Sequence, residues 1–212
     1  MLISFENIIY ISGMLGVAVF AISGALAAAE EKLDILSFVL FATVTGIGGG
    51  TVRDLLLNVP KVFWVEDPFY LYTTILAAII TYFFSHLLAS ISKSLLWMDA
   101  AGLALFSVLG TAKAMSLDVD PVVAITMGMI TPTFGSIVRD ILLGHKLVLL
   151  EPEIYVTAAL LGGGGYYLLR DVFNVEEVTA VLVSMVAAFM LRAAALLWDL
   201  RLPKLKQSLD RE

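Results

Sequence analysis

The chain alternates long apolar runs with short polar intervals, which hold most of its charged and helix-ending residues. A bilayer core of about 30 Å needs roughly 20 apolar residues for one helical crossing. A transmembrane β-barrel would need strands that alternate between apolar and polar positions, and these runs do not alternate. The pattern predicts an all-α polytopic membrane protein with seven transmembrane helices, at approximately Ile8–Ala29, Ile35–Leu57, Phe69–Ile91, Trp97–Leu117, Pro121–Leu143, Ile154–Leu169 and Val178–Leu200.

The composition agrees with a chain that lies mostly in lipid. Hydrophobic residues make up 60% of the 212 residues and charged residues 15%, and the mean hydropathy is +0.95. The intervals between the runs are too short to fold separately. Residues 1–212 are therefore predicted to form a single transmembrane domain.

Several functional classes are excluded by what the sequence lacks. The net charge is −6 and no basic cluster precedes the C-terminal end, so no nucleic-acid partner is predicted. The chain has no cysteine, and its two histidines, His86 and His145, are isolated, so we predict no metal site and no cofactor. The predicted helices contain no recognisable catalytic constellation, so the protein is predicted not to be an enzyme.

The distribution of Lys and Arg in the loops predicts the orientation. The first, third and fifth loops and the C-terminal tail, 201–212, hold most of these residues, whereas the N-terminus and the other loops hold only Lys61 and Arg170. We therefore predict an inner-membrane protein with a cytoplasmic C-terminus and, because seven crossings are predicted, an N-terminus on the outside.

An internal repeat appears when the chain is aligned with itself at a shift of 86 residues. Three predicted helices fall in each copy, 8–91 and 97–169, and the helix at 178–200 stands outside. An odd number of crossings means that the second copy enters the membrane from the opposite side, so the repeats are predicted to be inverted. The identical pairs include Gly16/Gly102, Phe20/Phe106, Gly24/Gly110, Thr45/Thr131, Gly49/Gly135, Val52/Val138, Arg53/Arg139 and Asp54/Asp140.

A motif rich in glycine or proline occurs in the second and fifth predicted helices. Each helical glycine costs about 1 kcal/mol relative to alanine, and a proline removes one backbone donor, so we expect both helices to break or kink. Irregular backbone at membrane depth suggests a path at the repeat interface. Close helix packing at glycine is the alternative interpretation. The residues concerned are Gly48, Gly49, Gly50 and Thr51, and Pro132, Gly135 and Ser136.

A charged pair follows each motif, Arg53 with Asp54 and Arg139 with Asp140. A charge in the membrane interior costs at least about 2.5 kcal/mol, so these residues should have partners. Adjacent helical residues point about 100° apart, which favours the crossed pairs Arg53–Asp140 and Arg139–Asp54, or arginines bonded to carbonyls freed at the opposite motif. Alternatively, each arginine extends to the nearer membrane surface.

Lys113 is a further charge deep in a predicted helix, and its counterpart in the first repeat is the uncharged Ala27. It either binds an acceptor on a neighbouring helix or lies in the water path, where its charge can gate. Arg192 lies near the end of the last helix and is expected to extend to the membrane surface.

These features together resemble the prokaryotic branch of the trimeric intracellular cation channels. The likeness rests on the two three-helix repeats, on the segment from Gly48 to Asp54 and on Pro132 with the segment from Gly135 to Asp140. The resemblance implies a homotrimer in which each protomer has its own pore for monovalent cations, chiefly potassium, with Lys113 as the gating residue. Related bacterial sequences are also described as a glycine transporter family. A secondary carrier for glycine or another small zwitterion or anion is therefore the alternative function.

Overall fold

A computed structural model of the protein describes residues 5–147 and 154–202. Its architecture is all-helical, as predicted. Among the described residues there are eight α-helices: α1 (Phe5–Glu30), α2 (Ile35–Leu56), α3 (Phe63–Glu66), α4 (Phe69–Phe84), α5 (Ile91–Met115), α6 (Pro121–Leu143), α7 (Val156–Tyr167) and α8 (Glu177–Trp198).

Six segments of the described chain are long and apolar enough to cross a membrane, and they correspond to six of the seven predicted helices. The exception is α7, which has 12 residues and continues into the π-helical turn Leu168–Val172. The fourth predicted helix begins earlier than expected, at Ile91, because the Ser90 side chain caps it there. The sequence analysis missed the short α3, and residues 203–212 of the predicted tail lie outside the described residues.

Local sequence sets where several helices begin and end. The backbone N–H of Ser37 donates to Asp34 at the start of α2 and lowers the pKa of that carboxyl group. The Asp120 side chain accepts from the backbone N–H of Val122 at the start of α6, and Pro121 occupies the first turn, where its missing N–H costs nothing. Gly144, with φ of 69°, ends α6 in the left-handed conformation that glycine adopts without strain.

The first helices of the two repeats, α1 and α5, pack against each other with reciprocal contacts. The rings of Phe20 and Phe106 stack with centroids 5.5 Å apart. Gly102 lies under the Phe20 ring, and Gly16 lies under the Phe106 ring. Residue numbers rise along α1 as they fall along α5, so these helices are antiparallel. An inverted repeat produces this relation: Phe20 of the first repeat contacts Gly102 of the second, and their counterparts Phe106 and Gly16 make the same contact.

Candidate functional site

The second helices of the repeats, α2 and α6, cross at the glycines that the sequence analysis identified. A Cβ atom at Gly49 would collide with the carbonyl oxygen of Thr131, and one at Gly135 would collide with that of Thr45. Thr45 and Thr131 are themselves repeat counterparts, so this crossing is also reciprocal and antiparallel. Two backbones in contact without side chains between them form the centre of the site.

Both helices continue through their motifs, so the predicted breaks do not occur. Backbone groups in lipid must be satisfied within the helix, and breaking the helix would cost more than the glycine penalty of about 1 kcal/mol. Pro132 lies inside α6 and removes one donor. The hydroxyls of Thr131 and Thr133 donate to the preceding carbonyls of Met127 and Met129. A bend at Pro132 remains a prediction.

The remaining motif residues surround this crossing. A Cβ at Gly50 would meet the Phe63 ring at 2.5 Å, whereas Gly48 has no atom closer than 3.7 Å to that position. The Thr51 hydroxyl accepts a hydrogen bond of 2.8 Å from the Trp64 indole N–H, which ties α3 to the end of α2. The Ser136 hydroxyl is 3.3 Å from that of Tyr155.

Arg139 and its partners close one end of the crossing, which we call the Arg139 end. The guanidinium binds the carboxylate of its neighbour Asp140, with its Nε and Nη2 each 2.8 Å from Oδ1. Its Nη1 donates to Ser23 on α1 at 2.8 Å and to Asp99 on α5 at 3.1 Å. Arg139 is only 1% exposed. These bonds join three helices, α1, α5 and α6.

Arg53 occupies the equivalent position at the opposite end, the Arg53 end. It binds Asp54, with Nε and Nη2 at 2.8 and 2.7 Å from Oδ1. The other carboxylate oxygen of Asp54 accepts from the backbone N–H of Phe63 at 2.9 Å, and the guanidinium lies 5.8 Å from the Phe63 ring centroid. The predicted crossed pairs are therefore wrong. Arg53 is 7% exposed, so neither arginine extends to the surface of the protomer.

The two ends differ because two repeat counterparts differ in chemistry. Asp99 and Ser23, which bind Arg139, correspond to Gly13 and Leu109 in the other repeat. At the Arg53 end those two residues line a cavity of about 190 Å³, together with Arg53, Tyr70 and Lys113. A neighbouring cavity of about 520 Å³ shares Tyr70, Leu109 and Lys113 with it. The Arg53 end is thus lined by a cavity, whereas at the Arg139 end the equivalent residues bind the guanidinium.

Lys113 lies in the wall of both cavities and is exposed. No ion pair or side-chain hydrogen bond of Lys113 is present within residues 5–147 and 154–202. The cavities give Lys113 a position compatible with a water path, and its gating role stays a prediction.

Sequence analysis missed three side chains at the Arg139 end: Asp99, Ser23 and Tyr155. A carboxylate close to the start of an apolar run was a usable signal for Asp99. Arg192, expected at the membrane surface, is instead 1% exposed and stacks on the Tyr155 ring at 5.2 Å. The expectation for Arg192 was wrong because the ring offers a buried cation–π partner.

Comparison with known proteins agrees with this arrangement. The family model described as "Glycine transporter" matches residues 10–86 and 96–171, two segments whose starts are 86 residues apart. The chain is 37% identical over 201 residues to the inner membrane protein YadS of Escherichia coli K12, covering 92% of this chain and 95% of YadS.

Solved structures of cation channels have the same fold. A trimeric intracellular cation (TRIC) channel orthologue from Rhodobacter sphaeroides is 44% identical, with a TM-score of 0.88 over 92% of this chain and 100% of that one. A TRIC channel solved in a study of conductance is 31% identical, with a TM-score of 0.82 over 95% and 98% of the two chains. The chain therefore belongs to the family described as glycine transporters, which is the prokaryotic branch of the TRIC family.

Proposed function

We propose that the protein is a monovalent cation channel, chiefly for potassium, with its path at the crossing of α2 and α6 beside α1 and α5. The observation that carries the proposal is the difference between the two ends. A cavity at the Arg53 end reaches Gly50, next to the crossing, whereas at the opposite end Arg139 bonds to Ser23 on α1 and Asp99 on α5. This is the arrangement of a pore that is open to one side and closed at the other.

The charges along this path favour cations. Each arginine has at least one carboxylate within 3.1 Å, and Arg139 has two. Arg53 and Arg139 are therefore neutralised locally, which leaves Lys113 in the cavity wall as the basic group that opposes a passing cation. Similarity to TRIC cation channels supports the same conclusion.

The proposed topology has seven crossings, with the N-terminus outside and the C-terminus in the cytoplasm. α7 supplies the seventh crossing together with its π-helical turn, whose combined 17 residues span about 25 Å at 1.5 Å per residue. Tyr155, the residue before α7, lies against Arg192 near the end of α8. Arg170, in the π-helical turn that follows α7, is 3.9 Å from Glu177 at the start of α8. In this topology the Arg139 end faces the cytoplasm.

A carrier for glycine or another small zwitterion or anion is the second candidate. It is favoured by the description of the family model and by Lys113 and Glu177 in the wall of one cavity, which could hold a carboxylate and an ammonium group. Reconstituted liposomes distinguish the two functions when potassium flux and glycine uptake are measured under matched gradients. We expect potassium flux without glycine uptake, and the reverse result would establish the carrier.

The protein is expected to assemble as a homotrimer with one pore in each protomer, as the name of its structural relatives indicates. In mild detergent its mass, corrected for detergent, should equal three protomers of 22.9 kDa. Light scattering on a sizing column measures this mass directly. A monomer that persists at all protein concentrations would contradict the proposed assembly.

Lys113→Ala is expected to raise basal potassium flux. A unit charge 4 Å from a passing cation opposes it by about 4 kcal/mol at an effective dielectric constant of about 20. Moving that charge across 100 mV is worth about 2.3 kcal/mol, so the voltage dependence should also flatten. Lys113→Arg should preserve both properties, and Lys93→Ala, at the other end of α5, is the matched control. Unchanged currents in Lys113→Ala would place Lys113 outside the path.

A further inference from the structure

Asp99 has a carboxylate oxygen that the arginine network does not use. The residue is 1% exposed. Its Oδ1 accepts from Arg139 Nη1 at 3.1 Å and lies 3.5 Å from the Ser23 hydroxyl. Its Oδ2 is buried and makes no hydrogen bond of ordinary length with the residues that the structure describes, although the Tyr155 hydroxyl interacts with this carboxylate group. A buried acceptor without a hydrogen bond of ordinary length is costly, so this oxygen indicates an interaction that the present conformation lacks.

Asp99 also exceeds what is needed to neutralise Arg139. Asp140 already binds the guanidinium through two nitrogens, so Asp99 is a second carboxylate at the same arginine. Another buried cation, Arg192, stacks on the Tyr155 ring. Arg139 and Asp140 both lie on α6, so Asp99 is the carboxylate that joins α5 to this pair, and it also brings a second buried negative charge to this end of the path.

The groups around Asp99 are hard oxygen ligands. The Ser23 hydroxyl lies beside it, and the Tyr155 hydroxyl is close enough to interact with its charge and is 3.3 Å from the Ser136 hydroxyl. Small monovalent and hard divalent cations are bound by oxygens of this kind. Arg139 Nη1 lies between Ser23 and Asp99, where it acts as a tethered cation.

We propose that Asp99 and Ser23 form a cation-selecting site at the Arg139 end. A permeating monovalent cation enters this site when Arg139 releases Ser23 and Asp99 and keeps only its bonds to Asp140. The inference rests on the proposed channel function and adds a residue to it. Neither ligand has an equivalent at the Arg53 end, where the counterparts are Gly13 and Leu109. Selection would therefore occur at one end of the pore.

Replacing Asp99 with Asn separates this role from that of a structural latch. Asparagine keeps the shape and can still accept from Arg139, but it loses the charge. If Asp99 selects cations, Asp99→Asn should lower the permeability of potassium relative to chloride about tenfold, because one nearby charge has been removed. If Asp99 only holds the pore shut, the weaker bond should raise potassium flux and leave the selectivity unchanged, which would overturn the proposal.

The experiment measures reversal potentials in planar bilayers for the wild type, Asp99→Asn, Asp99→Glu and Ser23→Ala. Asp99→Glu should retain selectivity, since it keeps the charge, and Ser23→Ala should reduce potassium conductance. Asp118→Asn, an exposed position beyond the other end of α5, is the matched control. Loss of selectivity in the control as well would also overturn the assignment.

A binding measurement distinguishes failure of this inference from failure of the channel function. Thermal unfolding is followed in detergent while potassium chloride replaces N-methyl-D-glucamine chloride at constant ionic strength. A bound cation stabilises the native state, so the melting temperature of the wild type should rise with potassium and that of Asp99→Asn should not. If the wild type conducts no cations, the channel proposal fails, and this shift still decides the site. Absence of a potassium-dependent shift in the wild type would then overturn it.

Discussion

Replacing Arg139 with Ala is expected to destabilise the folded protein by about 3–5 kcal/mol, the typical cost of removing one partner from a buried ion pair. The change removes the guanidinium that binds two buried carboxylates, Asp99 and Asp140, and it removes the donor to Ser23. Helices α1, α5 and α6 lose the arginine side chain whose bonds join them. The apparent melting temperature in detergent measures the effect, and proteoliposome flux should show increased leakage at this end of the pore.

Arg53→Ala is the matched comparison, because Arg53 is the repeat counterpart of Arg139. Only Asp54 loses an ionic partner, and it keeps the hydrogen bond from the Phe63 backbone. The adjoining cavity also admits water. A smaller loss of about 1–3 kcal/mol is expected. Equal melting temperatures for the two variants would show that the Asp99 and Ser23 contacts contribute nothing to stability.

The sequence located these charges but not their partners. The 100° separation of adjacent helical residues describes where the Cβ atoms point, and it led to the wrong expectation of crossed pairs. The arginine side chain is long enough to fold back along its own helix, so Arg53 and Arg139 each bind the next residue. Asp99 and Ser23 lie on other helices, at positions that only the packing of α1, α5 and α6 brings together.

The helix bounds were more predictable than the site, since lipid requires long apolar helices whatever their neighbours are. Pro121–Leu143 was predicted to the residue, and Ile35–Leu57 differs from α2 by one. The short α3 was missed because it depends on tertiary contacts. Its Phe63 N–H binds Asp54 and its Trp64 binds Thr51, and neither bond leaves a periodic signal in the sequence.

The glycine motif was interpreted as a helix break, with close packing as the alternative, and the contacts of Gly49 favour packing. Gly49 lies against the backbone of Thr131 and not against a movable side chain. The Thr131 carbonyl cannot turn aside without moving α6. The motif therefore sets the distance between α2 and α6, and through it the dimensions of the proposed path.

Gly49→Ala should consequently destabilise the protein by about 1–3 kcal/mol or more, the usual range for overpacking a well-packed core. The new methyl group has to push α2 and α6 apart, so potassium flux should change together with the melting temperature. Gly48→Ala is a nearly ideal control on the adjacent residue, because its methyl group would have no atom closer than Gly135 Cα at 3.7 Å. That variant should keep or slightly raise the melting temperature, since alanine is favoured over glycine in a helix by up to about 1 kcal/mol. If both variants melted alike, the close contact of Gly49 with Thr131 would not determine the spacing of the two helices.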